Sequence, residues 1–379
     1  MSGLAVNTPS QTPSEAPDNK PGLTLAIRKG IAGLLSGRRA MLDSQPEAES
    51  DRRNSAKLDY SEVVRETEVI AIPDVHGDVA ALKRSLQALE LTDANDDWAG
   101  GNKVAVCLGD YIDRGDTNLA VLDYLIKIKK QAEDAGGRID LLLGNHESMM
   151  IGAMADWSTY REVWLSSDNG GDKVFKEVRK KYHLQSEHEV WQKMKEMFAP
   201  GGEYHELITS MKLVSQVDDV LYVHGGINDV WARIMEDEGI EGVNQKWKKA
   251  YSDLSEGEFS EFRNIVSEYG PLWIRYKTDI KNMPEKKIAR IAKALKKRGI
   301  NVVVVGHDRL DFGPEMHAGF EKHGIKLIAS DVGMSSAFGY GSTEGGVRIE
   351  EDGDIEGWSV FGVDKLHRET PPPSSRAAA

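Results

Sequence analysis

Six short apolar runs, rich in valine, isoleucine and leucine, recur along this chain at 67–73, 103–108, 138–143, 219–223, 301–305 and 325–331, each closed by Gly, Asp or His. Runs of that length without polar alternation mark strands buried on both faces. Stretches with helical spacing lie between several of them, at 78–90, 117–134, 173–197 and 284–298. The alternation predicts an α/β fold whose sheets are covered by helices. Two later runs, 345–350 and 355–361, flank Glu351-Asp352-Gly353-Asp354 and predict an antiparallel hairpin.

The chain has 379 residues, enough for a substantial core without covalent staples. Its one cysteine, Cys107, rules out an intramolecular disulfide and fits a reducing compartment, so a cytoplasmic protein is expected unless the N-terminal leader directs it elsewhere. A formal charge of −13 argues against a general nucleic-acid binder, which needs clustered Lys and Arg. No apolar run approaches the roughly 20 residues of a membrane span.

Residues 1–59 read as a disordered leader, because the first 21 are rich in Ser, Pro, Thr and Asn and offer little apolar surface to offset ordering entropy. Within it, 22–42 carries a short basic amphipathic pattern, with Leu23, Leu25, Ile27, Ile31, Leu34 and Leu35 among Arg28, Lys29, Arg38 and Arg39. Gly30, Gly33 and Gly37 weaken that helix, so it reads either as a docking or targeting helix or as a marginal helix in a flexible leader. The folded body is expected over 60–367, with a helical insert at 148–218, and 368–379 reads as a proline-stiffened tail.

Metal-competent side chains fall almost entirely at the ends of the predicted strands, where open α/β sheets bind ligands. The first delivers Asp74-Val75-His76-Gly77-Asp78; the second, Gly109-Asp110-Tyr111-Ile112-Asp113-Arg114-Gly115; the third, Gly144-Asn145-His146-Glu147; then come His224-Gly225-Gly226 and Gly306-His307. Each residue alone has an ordinary reading: His224 or His307 as a satisfied strand-end histidine, Asp78 and Glu147 as helix-start or supporting charges, Cys107 as core filling. Five such ends in order, mixing oxygen and nitrogen donors, point to one metal-binding cleft.

In this order the segments resemble the phosphoprotein phosphatase family within the calcineurin-like metallophosphoesterases. Pro73 stands where that family's first motif has glycine, which removes a backbone N–H and fixes φ before Asp74. Gly270-Pro271-Leu272-Trp273-Ile274-Arg275 and Asp331-Val332-Gly333-Met334-Ser335 further resemble the bacterial-type Shewanella-like phosphatases. Trp164-Leu165 with Asn169-Gly170-Gly171 is similar to phage-type phosphatases and the symmetric dinucleotide tetraphosphatases. The resemblance implies an α/β/β/α sandwich with a helical insertion and two divalent metal ions.

Carried onto this sequence, Asp74 and His76 would bind the first metal, Asp110 would bridge, and Asn145, His224 and His307 would bind the second. The mixed donors suit manganese first, then iron or zinc, over calcium or magnesium. His146 would protonate the leaving oxygen, oriented by Asp113, while Arg114 and Arg275 grip the phosphate. The implied reaction is dephosphorylation of phosphoproteins, at Ser/Thr or Tyr, by direct attack of a metal-bridging hydroxide. A dinucleoside polyphosphate or nucleotide hydrolase using the same dinuclear site, and a non-catalytic phosphoprotein binder, stand as alternatives. Tyr111 and Asp116 read as structural, and the Met and Trp residues of 148–218 read as packing around a subdomain beside the cleft.

Overall fold

The computed structural model describes residues 68–155, 158–339, 344–359 and 362–366, all within the unit Ala56–Ala379. The leader and the tail expected at the two ends lie outside the described residues.

Eleven strands form two sheets among the described residues. The first contains β1 (Val69–Ile72), β2 (Val104–Cys107), β3 (Arg138–Leu141), β9 (Gly346–Ile349), β10 (Ile355–Ser359) and β11 (Gly362–Lys365), in the order β11-β10-β9-β1-β2-β3. The second contains β4 (Val214–Val217), β5 (Val220–Val223), β6 (Val302–Val305), β7 (Glu315–Met316) and β8 (Lys326–Ala329), in the order β4-β5-β6-β8-β7. Strands β1, β2 and β3 run parallel, as do β5, β6 and β8. All six expected strands therefore lie in parallel ladders, and all six end on one side of their sheet.

Period-two alternation decides which side chains face where. On β1, Val69 and Ala71 join Val104, Val106, Leu142, Val220, Tyr222, Val302 and Val304 in an apolar layer between the sheets. Ile70 and Ile72 point the other way, into the helix-covered core. Both faces of the central strands are thus dry, which is why their sequences show no polar alternation.

The helices are α1 (Val79–Ala88), α2 (Asn118–Asp134), α3 (Asn145–Met154), α4 (Ser158–Trp164), α5 (Gly171–Lys181), α6 (Glu187–Phe198), α7 (His205–Ser210), α8 (Asp229–Ser255), α9 (Ser260–Ile265), α10 (Glu285–Lys297) and α11 (Ala318–Glu321). The spacing at 173–197 predicted one helix, but the structure has two. Ser186 caps α6 by accepting from the Glu189 amide, and His183 takes a left-handed φ of 55° that breaks the run. The stretch 148–218, read as helical, closes with strand β4, which pairs antiparallel to β5. Helix α8 contains Gly239 at φ 76°, ψ 178°, so it is two helical segments joined at a kink.

A seam joins the sheets. The Leu143 amide donates to the Lys212 carbonyl (2.8 Å) and the Lys212 amide to the Leu141 carbonyl (2.9 Å), linking the end of β3 to the residues before β4. Asp140 on β3 reinforces it, accepting from Lys212 Nζ (2.8 Å) and from the Ser215 hydroxyl (2.6 Å). No described helix is long and apolar enough to cross a membrane.

Candidate metal and phosphate site

The strand ends meet in a polar cavity of about 260 Å³ lined by Asp110, Arg114, His146, Arg275, Lys277, His307, Asp308, Arg309, Asp331 and Phe338. Two groups of ligand atoms converge there, each within 4.8 Å: His76, Asp110 and His146, and Asp110, His224 and His307. Asp110 belongs to both, so the expected bridging carboxylate lies between the two halves. His146 occupies the first group where Asp74 was expected. The Asp74 carboxylate instead accepts from the His307 amide with both oxygens, each at 3.1 Å.

The backbone carrying these groups is strained. His76, Asp110, Asp113, Arg114 and His307 have φ of 46°, 51°, 75°, 64° and 66°, five of the nine non-glycine residues with positive φ among those described. Such conformations cost L-residues free energy and persist only where surrounding contacts enforce them. Glu147 supplies much of that enforcement. Its buried carboxylate accepts from the amides of Asp110 (2.9 Å), Tyr111 (2.8 Å), Ile112 (3.2 Å) and Gly144 (3.0 Å), tying the second strand-end loop to the third. Asp78 caps α1 through the Ala81 amide and holds the Ser336 amide (3.0 Å). Both therefore act as supports, in line with their ordinary reading. Tyr111 is structural too, its hydroxyl lying within hydrogen-bond reach of the Cys107 and Leu142 carbonyls. Cys107 is buried in β2, where burial pushes its thiol up to about 12.

Burial disfavours the charged form of His76, His224 and His307, and their ring nitrogens are aimed. His224 Nδ1 lies 2.8 Å from the Leu108 carbonyl, which makes it the protonated nitrogen. Burial lowers the His224 pKa to about 3, so Nε2 carries a lone pair. That lone pair faces Asn145 Oδ1 at 2.9 Å and Asp110 Oδ1 at 3.4 Å. Three electron-rich atoms so close are a natural cradle for a cation. His76 is arranged alike: Nδ1 faces the Ile112 carbonyl (3.3 Å), and Nε2 accepts from the Arg114 guanidinium at 2.9 Å. His307 Nε2 is buried with no hydrogen-bond partner among the described residues. Burial, reinforced by Arg114 for His76 and by Arg275 for His307, holds both rings well below the usual histidine range.

The carboxylates show the complementary perturbation. Burial raises Asp74 well above its ordinary value, with Asp331 and Asp110 adding repulsion, and lifts Asp110 to about 7. Anions crowded with neutral imidazoles, including an unpartnered ring nitrogen, are a donor set that divalent cations satisfy. The residues present therefore fit a two-metal centre.

Around this centre lie the expected phosphate and proton groups. His146 Nδ1 is 2.7 Å from Asp113 Oδ2, and its Nε2 is 3.8 Å from Asp110 Oδ2. Arg275 lines the cavity and also pairs with Asp308 at 3.6 Å. Asp116 accepts from Lys173 at the surface.

Sequence reasoning assigned no role to Asp331, Phe338, Asn118 or Glu177. Asp331 lies two residues beyond β8, is buried, and is raised to about 6 by burial. The rule that found the other acids, a carboxylate closing an apolar strand, applied to it equally. Phe338 stacks edge-on to His76 (5.4 Å), with the guanidinium carbons of Arg114 and Arg309 at 5.4 and 5.3 Å from its ring centre. Nothing in its local sequence marked it. Asn118 accepts from the Asp113 amide (2.7 Å) and donates to the Gly115 carbonyl (2.9 Å), while Glu177 accepts from the amides of Asn118 and Leu119.

The chain belongs to the calcineurin-like phosphoesterase family, whose model matches residues 67–309, more than half of its length. Shewanella-like protein phosphatase 1 of Plasmodium berghei (strain Anka) is 26% identical over 254 residues, covering 66% of this chain and 63% of the relative. Shewanella-like protein phosphatase 2 of Arabidopsis thaliana is 42% identical over 83 residues, covering 22% of this chain and 21% of the relative. The chain thus spans less than two thirds of the length of these curated relatives. A cold-active protein-tyrosine phosphatase of a psychrophilic Shewanella species superposes with a TM-score of 0.60 at 22% identity, covering 79% of this chain and 80% of that one. At that identity the likeness shows a shared fold, the expected two-sheet sandwich.

Proposed function

We propose that this chain is a metal-dependent phosphomonoester hydrolase that dephosphorylates phosphoproteins. The observation that carries the reading is the convergence of two histidine–carboxylate clusters, a buried His146–Asp113 pair and two arginines on one cavity. Asp74, His76 and Asp110 would hold one divalent cation, and Asp110, Asn145, His224 and His307 a second. Such cations supply Lewis acidity toward water and phosphate oxygens.

The chain's own residues orient and move protons. Arg114 and Arg275 clamp non-bridging phosphate oxygens, offsetting charge that grows in the transition state. His146 delivers a proton from Nε2 to the departing oxygen, and Asp113 fixes the ring by holding Nδ1. His146 serves as proton donor in this reading because its neighbour Asn145 is taken as a ligand of the second cation, while Asp113 at Nδ1 orients the ring.

Phe338 favours a substrate with a flat group beside the phosphate. Phosphotyrosine meets that description within the first reading, and a dinucleoside polyphosphate meets it in the alternative. The test is side-by-side hydrolysis of phosphotyrosyl peptide, phosphoseryl peptide and diadenosine tetraphosphate after manganese loading, with Asp110→Asn as control. Peptide turnover lost in the control supports the proposal; turnover of the dinucleotide alone replaces it with the alternative.

A further inference from the structure

We propose that Trp164, carried by the helices inserted after α3, is a positioning residue for leaving-group protonation, acting through Asp113. This rests on the reading of His146 as the proton donor. Trp164 and Asp113 are both fully buried. The indole N–H reaches both carboxylate oxygens, at 3.0 Å to Oδ1 and 2.8 Å to Oδ2, and the same Oδ2 faces His146 Nδ1 at 2.7 Å. Packing alone does not account for this. Trp164 is indeed set in an aromatic cluster, tilted against Trp191 with ring centres 5.9 Å apart, but any apolar ring of that size would fill the space. Only a donor on its edge restrains the carboxylate.

The chemistry of the donor matters. A Lys or Arg in its place would neutralise Asp113 and weaken its hold on the proton of His146 Nδ1. A neutral N–H fixes the carboxylate and leaves its charge directed at the imidazole. The backbone is secured from the same segment: the Arg114 amide donates to the Gly170 carbonyl (3.3 Å), and a Cβ on Gly170 would lie 2.5 Å from Arg114 N. Residues 164–170 therefore dock on the 113–114 turn at two points, one of them the side chain that aims the proton donor. In the step itself, His146 passes its Nε2 proton to the ester oxygen as the P–O bond breaks. The proton shed by the attacking water restores it.

The test exploits leaving-group dependence. Protonation matters greatly for phenyl phosphate, whose phenolate is a poor leaving group, and little for 2,4-dinitrophenyl phosphate. Manganese-loaded full-length protein carrying Trp164→Phe should lose kcat on phenyl phosphate by about 10- to 100-fold, part of what general acid catalysis supplies, with less than about a threefold loss on the dinitrophenyl ester. Metal content and KM should stay near wild type. Trp191→Phe, which removes a neighbouring indole without touching Asp113, should change both esters equally and modestly. Should Trp164→Phe fail to fold, benzothienylalanine at position 164 keeps the ring shape without the N–H and should show the same split. Equal losses on both esters, or a loss that follows metal content, overturn the proposal and leave the phosphatase reading standing. A wild-type chain inactive on both esters overturns the two together.

Discussion

Two sets of helices flank the strand-end cleft, and they relate to it differently. The inserted set, α4 to α7, reaches the 113–118 loop with hydrogen bonds: Trp164 donates to Asp113, the Gly170 carbonyl accepts from the Arg114 amide, and Glu177 accepts from Asn118, which itself holds the Asp113 amide. The set on the second sheet, α8 and α10, meets the strands through apolar side chains such as Trp247, Ile288, Ile291 and Leu295, with Asn244 satisfying the backbone beside β4. Both bury apolar side chains in the helix-covered core. Only the first also decides where charged side chains point, so damage to the two should separate activity from stability.

Removing the shared carboxylate sets the scale against which either helix set is measured. Asp110→Asn should lower turnover on the order of a thousandfold or more, with reduced bound metal by elemental analysis. Near-normal activity would remove Asp110 from the centre. On the second-sheet side, Ile291→Ala should cost about 2–5 kcal/mol in urea unfolding while kcat per folded molecule stays unchanged. A large fall in kcat there would erase the contrast. On the inserted side, Glu177→Ala should cost about 1–3 kcal/mol and also lower kcat, because the Asn118 and Leu119 amides lose an acceptor and the Asp113 loop relaxes. Lost stability with intact kcat would make the insert mere covering.

The smallest effect is expected at the seam, which belongs to neither set. Burial alone would raise Asp140, but hydrogen bonds from Lys212 and Ser215 overcome it and hold the carboxyl below its ordinary value of 3.8. A depressed folded value means the contribution is fully present above that pH and is lost as pH falls through the folded value. Asp140→Asn should therefore flatten the decline of the urea midpoint below about pH 4, leaving kcat near neutrality unaltered. An unchanged acid profile would show that the pair contributes nothing.

The legible parts of this molecule are those where chemistry and local pattern coincide. The six strands showed because burial on both faces demands unbroken apolar runs, and Asp74, His76, Asp110, Asn145, His146, His224 and His307 showed because each closes such a run. Strand β4 was hidden, since Val214-Ser215-Gln216-Val217 is short and mixed, and its pairing with β5 is a tertiary fact. The break between α5 and α6 turned on a single left-handed histidine. Trp164, Asn118, Glu177 and Phe338 were invisible as site residues for a different reason. Trp164, Glu177 and Phe338 act through contacts tens of residues away in sequence, such as the 51 positions that separate Trp164 from Asp113, while Asn118 meets the Asp113 amide five positions back only because the loop folds over it; no local periodicity records either kind of meeting.

The seam between the sheets bears on the mechanics of recognition. Candidate ligand groups come from both sheets, so a hinge between them would change the spacing of each donor pair that spans the two, such as Asp110 with His224 and His307. Backbone hydrogen bonds from Leu143 to Lys212 and from Lys212 to Leu141, reinforced by Asp140, lock that hinge at one corner. The cleft therefore has a set gauge. We expect substrates of different girth to be met by the long side chains that line the cleft, Arg275, Lys277 and Arg309, rather than by movement of one sheet against the other.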